Sequence, residues 1–247
     1  MNSEHYGVRI HSARNHLQDV IDRRGWLICR PIYFSLLNDL LYECENLLNC
    51  FWQNQNQIRA PLLSNKKFLD LATHASLIRL IQGIHNDLYF NQQNVLHMDA
   101  STTRHKDQSR WHRDMPYQTW IPSSIAALNT LLCLSSRKEE IHVLDIIDGS
   151  QFNEAFPRTT ALNSLQRRIY LKHGDLLVMN SFIYHRAPIN IASNAFLVNQ
   201  VFTPKIFKQQ VSLIGLSKVT DCIDSKQDLH TWLGINQTYK KKTSLLP

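Results

Sequence analysis

The sequence predicts an α+β protein, mainly β: a helical N-terminal layer packed on a β-sandwich or jelly roll. Three observations carry this. Through the first third of the chain, apolar residues recur at three- and four-residue spacing. After about residue 86 they gather instead in short β-prone runs separated by turn signals. Nowhere do strand-like and helix-like segments alternate as they must to build a doubly wound parallel sheet. At 247 residues and 43% hydrophobic content, one domain with a sizeable core is the simplest organisation.

The elements follow in order. Ser12 can cap a short helix with Leu17, Val20 and Ile21 on one face, stopped near Gly25. The strongest helix is 34–51, where Leu37, Leu40, Leu41, Cys44, Leu47, Leu48 and Phe51 form one stripe. Ser64 caps a third helix, with Phe68, Leu71, Ile78 and Ile81 apolar; all three stripes are packing faces. The β-prone runs are 87–90, 95–98, 125–134, 141–147, 169–171, 176–179 and 196–202, with a turn at Lys172-His173-Gly174-Asp175. The expected organisation is a single domain over 1–247, with a helical layer at 12–83, a β core at 86–212 and a C-terminal extension at 213–247.

Composition narrows the function. No apolar run reaches membrane length, and residues 1–6 show no basic-then-apolar leader pattern, so a cytoplasmic protein without membrane insertion is expected. Cys29, Cys44, Cys50, Cys133 and Cys222 form no Cys-x-x-Cys pair and read as reduced, buried thiols. The net charge of +7 comes from dispersed basic residues, with one run at Lys240-Lys241-Lys242. No nucleic-acid partner is expected; a small-molecule substrate, anionic if charged, accounts for the excess equally well. A P-loop, a zinc-finger spacing and a His-Glu-x-x-His helix are absent from the sequence. His112-Arg113-Asp114 also matches the kinase catalytic-loop tripeptide, but Thr119 stands where the magnesium-binding asparagine is required.

Chemistry concentrates at Trp111-His112-Arg113-Asp114. In an extended segment, His-x-Asp puts an imidazole and a carboxylate on the same side, because strand side chains alternate with period two. A lone histidine, His185, follows a strand-like run far downstream. Two imidazoles and one carboxylate make the facial triad of non-haem iron(II) oxygenases, which leaves coordination positions open. His173 is the nearest competitor for the third place, but it sits in the turn. Trp111, Tyr117 and Trp120 can line a pocket or simply pack, and Asn129 and Asn199 can bind a ligand or serve as buried structural amides.

The stretch Gln108-Ser109-Arg110-Trp111-His112-Arg113-Asp114-Met115-Pro116-Tyr117-Gln118 resembles the metal motif of phytanoyl-CoA dioxygenase-like proteins. The likeness continues through Ile125-Ala126-Ala127-Leu128-Asn129, Gly174-Asp175-Leu176-Leu177, His185-Arg186-Ala187-Pro188-Ile189-Asn190 and the segment 203–210. The resemblance implies a double-stranded β-helix of the jelly-roll, cupin-like kind, with His112, Asp114 and His185 as iron(II) ligands and 2-oxoglutarate and dioxygen as cosubstrates. It implies a dioxygenase that hydroxylates a small-molecule biosynthetic intermediate. Asp114 argues against halogenation, because halogenating relatives carry a small residue there.

One departure shapes the cosubstrate reading. The family places an arginine about ten residues past the distal histidine, where its guanidinium pairs with the far carboxylate of 2-oxoglutarate. Here Ala195 and Phe196 occupy that region, and Gln151 stands where relatives often carry histidine. Another cation must then reach in: Arg168 or Lys172 first, then Lys205, with Arg186 last because alternation turns it away from the face of His185. Asn129 is expected to hydrogen-bond the 2-oxo acid. The competing readings are a non-catalytic jelly roll that keeps only the fold, and a metal-dependent cupin-like isomerase or lyase that needs no 2-oxo acid.

Overall fold

The computed structural model describes residues 14–30, 34–51, 57–98, 109–114, 127–137, 140–153, 164–188, 194–204 and 227–233. In chain order the elements are α1 (Arg14–Arg24), β1 (Trp26–Cys29), α2 (Phe34–Phe51), β2 (Gln57–Arg59), α3 (Lys66–Ala72), α4 (Ala75–Ile84), β3 (Leu88–Met98), β4 (Leu128–Leu134), β5 (His142–Ile147), β6 (Gln166–Leu171), β7 (Leu176–Asn180), β8 (His185–Arg186), β9 (Ala195–Pro204) and α5 (Gln227–Trp232).

Two antiparallel sheets face each other. The larger has six strands in the order β1-β7-β4-β9-β3-β2, and the smaller has three in the order β6-β5-β8. Its non-sequential neighbours give the crossovers of a double-stranded β-helix, and the expected jelly roll is the fold observed. The central strands β4, β7 and β9 of the larger sheet are buried on both faces, so period two separates two cores rather than core from solvent. On β9, Phe196, Val198 and Phe202 face the helices, while Ala195 and Leu197 face the smaller sheet. On β4, Leu128, Leu132 and Leu134 take the helical side, and Leu131 and Cys133 the inner side. Among the described residues, no helix is long and apolar enough to cross a membrane.

The helical layer differs from the expected one in three respects. First, it contributes two strands. β1 pairs with β7 (Trp26 opposite Met179) and β2 with β3 (Ile58 opposite Val95), so the region 12–83 supplies both edges of the larger sheet. Second, the third helix is two. Asn65 rather than Ser64 caps α3, its side chain accepting from Lys67 N at 2.9 Å, and His74 caps α4 by accepting from Ser76 N at 3.2 Å. The break lets Phe68, Leu69 and Leu71 of α3 and Leu77, Leu80 and Ile81 of α4 reach the same core. Third, α5 returns to this layer: Trp232 Nε1 donates to Ala72 O at 2.9 Å, and its ring lies 5.4 Å from that of Phe202.

Runs 87–90 and 95–98 are one strand, β3, with a bulge between Phe90 and Gln92. The polar stretch between them reads as a turn in sequence but, apart from Asn91 at the bulge, is paired with β9. Its side chains are satisfied tertiarily: Asn91 Nδ2 donates to Thr203 Oγ1 at 3.0 Å, and Gln93 Nε2 to Phe68 O at 2.9 Å. The turn before β7 holds Gly174 at φ +85°, and α1 ends on Gly25 at φ +84°. At Gly25 a Cβ would also lie 2.5 Å from Gln151 Oε1. Gln151 itself ties the loop after β5 to α1, donating to Asp22 O at 3.1 Å. Cys29, Cys44 and Cys133 are buried and unbridged, and burial pushes the thiols of Cys29 and Cys133 up to about 12. The side chain of Cys50 and all of Cys222 lie outside the described residues.

Candidate metal centre

The segment 109–114 runs beside β8. His112 and His185 form an isolated antiparallel bridge and exchange both backbone hydrogen bonds at 3.0 Å. Directly opposed residues in such a pair put their side chains on one face, and the two imidazole centroids are 4.4 Å apart. Alternation returns Asp114 to the same face, while Arg113 turns outward and stacks on the Tyr184 ring at 4.0 Å. One ligand atom from each of His112, Asp114 and His185 lies within 4.8 Å of the others. The three residues therefore meet from two strands that are 71 positions apart in sequence. His185 is buried, and His112 and Asp114 are half-buried.

The protonation pattern suits a cation. His112 Nδ1 donates to Arg110 O at 2.8 Å, and His185 Nδ1 donates to Ile183 O at 3.2 Å. Backbone carbonyls only accept, so the ring protons sit on Nδ1 and both Nε2 lone pairs point at the carboxylate. His112 Nε2 is buried with no hydrogen-bond partner among the described residues. Two nitrogen lone pairs and a carboxylate oxygen gathered without donors between them are repulsive unless a proton or a metal joins them. This donor set fits iron(II).

Without metal, a proton takes that place. Burial pushes the Asp114 carboxyl up, but His185, His112 and the Asn129 amide outweigh it and hold the group below its ordinary value. Burial pushes His185 down, yet its attraction to Asp114, 3.5 Å away, leaves it raised. His112 is lowered by burial and by His185. The stabilisation from ionised Asp114 is present above the ordinary carboxylate pKa and is lost as pH falls through its depressed value. That from protonated His185 is present below the ordinary imidazole pKa and is lost as pH rises through its raised value. Metal binding must displace the His185 proton, so iron(II) affinity is expected to fall as pH drops through the raised His185 value, above the ordinary imidazole value. Metal titrations across pH with proton-release measurement check this; an affinity independent of pH through the imidazole range would contradict it.

The expected ligand residues around the triad are redistributed. Asn129 is held by protein partners: its Nδ2 donates to Asp114 Oδ2, and its Oδ1 accepts from Ser181 Oγ at 2.9 Å. The amide thus orients the carboxylate and is itself oriented by Ser181. Asn129→Leu is expected to weaken metal binding about 10- to 100-fold, the usual effect of removing such a support. Calorimetry with the metal and a melting curve without it test this; an unchanged affinity would make Asn129 a packing residue only.

Arg168 and Lys172 do not reach the site. Asp145, Arg168 and Arg186 share the outer face of the smaller sheet, because they oppose one another in register. Arg168 Nε donates to Asp145 Oδ1 at 2.8 Å and Arg186 Nε to Asp145 Oδ2 at 3.2 Å. Arg186 also covers the Trp111 ring at 4.5 Å, so Trp111 clamps the segment carrying His112 and Asp114 from outside rather than lining the cavity. Lys172 is exposed in the turn before β7. His173 accepts from Ser135 N at 3.1 Å and takes no part in the triad. Tyr117, Trp120 and Lys205 lie outside the described residues.

Asp114 and His185 open into a cavity of about 160 Å³ between the sheets. Register divides its wall into layers. Gln92 and Val201 are level with Asn129 and nearest the triad; Asn94, Asn199 and Leu131 come next, then Leu96 and Leu197, with Met98 one step beyond; on β5, counted from Ile146 opposite His185, Leu144 and then His142 recede from the triad. Among the described lining residues there is no arginine or lysine. Sequence reasoning missed Gln92, Asn94, His142 and Ser181. Gln92 and Asn94 had one legible signal: polar residues two apart, which share a face if the segment is a strand.

The architecture is similar to that of several solved structures. SnoN, a non-haem α-ketoglutarate-dependent epimerase from nogalamycin biosynthesis, superposes with a TM-score of 0.60 at 18% identity over 77% of this chain and 80% of its own. EctD from S. alaskensis with bound iron gives 0.60 at 16% identity over 83% and 82%. HygX from Streptomyces hygroscopicus, with nickel and 2-oxoglutarate bound, gives 0.55 at 15% identity over 78% and 88%. This is the fold of the iron- and 2-oxoglutarate-dependent enzymes. No protein-family model and no curated protein matches the sequence.

Proposed function

We propose that this protein is a non-haem iron(II)/2-oxoglutarate-dependent dioxygenase that hydroxylates a small-molecule biosynthetic intermediate in the cytoplasm. The observation that carries the reading is the convergence of His112, Asp114 and His185, with both Nε2 lone pairs turned to one point at the mouth of a cavity. Bound there, iron(II) would supply open coordination positions for the 2-oxo acid and dioxygen. The protein's own part is positioning. Asn129 and Ser181 fix the carboxylate, Arg110 and Ile183 carbonyls fix the imidazoles, and Leu131, Leu144 and Leu197 supply the apolar part of a wall otherwise lined by amides and His142. A carboxylate at Asp114 favours hydroxylation over halogenation, since it leaves no ligand position for halide.

Anaerobic titration with iron(II) and then 2-oxoglutarate is the direct test. A weak visible charge-transfer band, followed by succinate release on admitting oxygen, is the expected result. A second reading is favoured by Ala195 and by the lack of a cation among the described lining residues: a jelly roll without 2-oxo acid chemistry, either non-catalytic or a metal-dependent isomerase or lyase. Metal binding with no band for any 2-oxo acid would select it.

A further inference from the structure

We propose that His142 takes the place of the missing arginine and receives the far carboxylate of a dicarboxylic 2-oxo acid; this rests on the function proposed above. β5 runs inward-facing at His142, Leu144 and Ile146, and Ile146 is the register partner of His185. His142 is four residues from that level, roughly 13 Å down the strand at ~3.3 Å per residue, before its side chain is counted. It is 3% exposed and lines the same cavity as Asp114 and His185. A ligand held at the triad by one end and lying along the cavity presents its other end to this layer.

The neighbours leave His142 as the group for a carboxylate. Leu96, Leu197 and Met98, which line the same cavity away from the triad, offer no hydrogen-bond donor. Outside the triad, it is the one titratable side chain among the described lining residues; the remaining polar ones are neutral amides. Asn199, 9% exposed and one layer nearer the metal, has an oxygen without a hydrogen-bond partner among the described residues, as expected of a wall shaped for a polar ligand and not for packing. The arginine candidates are excluded on the same geometry, because Arg168 and Arg186 are held by Asp145 on the opposite face.

The experiment crosses a change in the ligand with a change in the residue. Anaerobic iron(II)-loaded protein is titrated with 2-oxoglutarate and with 2-oxopentanoate, which has a methyl group in place of the second carboxylate; the readouts are the charge-transfer band and calorimetry. The parent is expected to prefer 2-oxoglutarate about tenfold or more, the scale of a hydrogen bond to a charged group. His142→Leu should bring the two affinities within about threefold of each other while leaving 2-oxopentanoate binding unchanged, which also shows the site intact. A parent without preference, or a His142→Leu variant that keeps it, would overturn the assignment and leave the proposed function standing. No band with either acid would overturn the proposed function and this assignment with it. Should His142→Leu lose both ligands, His142→Gln decides: it keeps an N–H donor, and an intermediate preference supports the assignment where an undiminished one refutes it.

Discussion

His185→Ala is expected to weaken iron(II) binding by more than about 100-fold, since loss of a supporting contact alone costs 10- to 100-fold, and to leave the protein folded. The ring is buried and contributes one of three donors. The backbone bridge to His112 does not depend on the side chain, so the two strands stay paired. Removing the imidazole also removes the attraction that holds Asp114 depressed without metal, which adds a modest loss of stability. Binding isotherms for iron(II) with far-UV circular dichroism of the same sample distinguish the roles. Unfolding with unchanged metal affinity would mark His185 as a core residue and remove the basis of the proposed function.

Phe196→Arg should be the most destabilising of the substitutions considered, by more than about 4 kcal/mol, because it forces a charge into an apolar core. For a chain of this size that corresponds to a melting temperature lower by about 10 °C or more. Sequence spacing alone makes Phe196 a reasonable place to restore the arginine. The structure turns it the other way: it is 4% exposed, packs with the helical-side core and lies 4.9 Å from the His97 ring. Ala195, its neighbour, faces the inner side. Thermal unfolding measures the loss, and a Phe196→Arg protein that melts like the parent and binds 2-oxoglutarate more tightly would reverse the assigned strand facing.

Where the sequence could be read correctly, the signal was local. The stripe of α2 and the turn at Gly174 rest on spacing and on the conformational freedom of one residue, so a short window contains them. The triad was legible because two of its members share a strand-period spacing and the third follows a strand. Where the reading failed, the decisive partner was distant. β1 is four residues long, and its hydrogen bonds are made about 150 positions away, at β7. The centre of β3 looks like a turn because its amides are polar, but Thr203 and Phe68 satisfy two of them from elsewhere in the fold. Arg168 looked available as an anchor until its register partner, Asp145, appeared beside it.

The sequence by itself therefore determined the jelly-roll class, the helical layer and which three residues can gather around a cation, because periodicity and residue chemistry are properties of short segments. Tertiary structure alone decided which way each face turns, which side chains are already committed, and what lines the cavity beyond the triad. His142 shows why: nothing in its neighbourhood along the chain marks it, and only the pairing of β5 with β8 places it in the wall that His185 also lines.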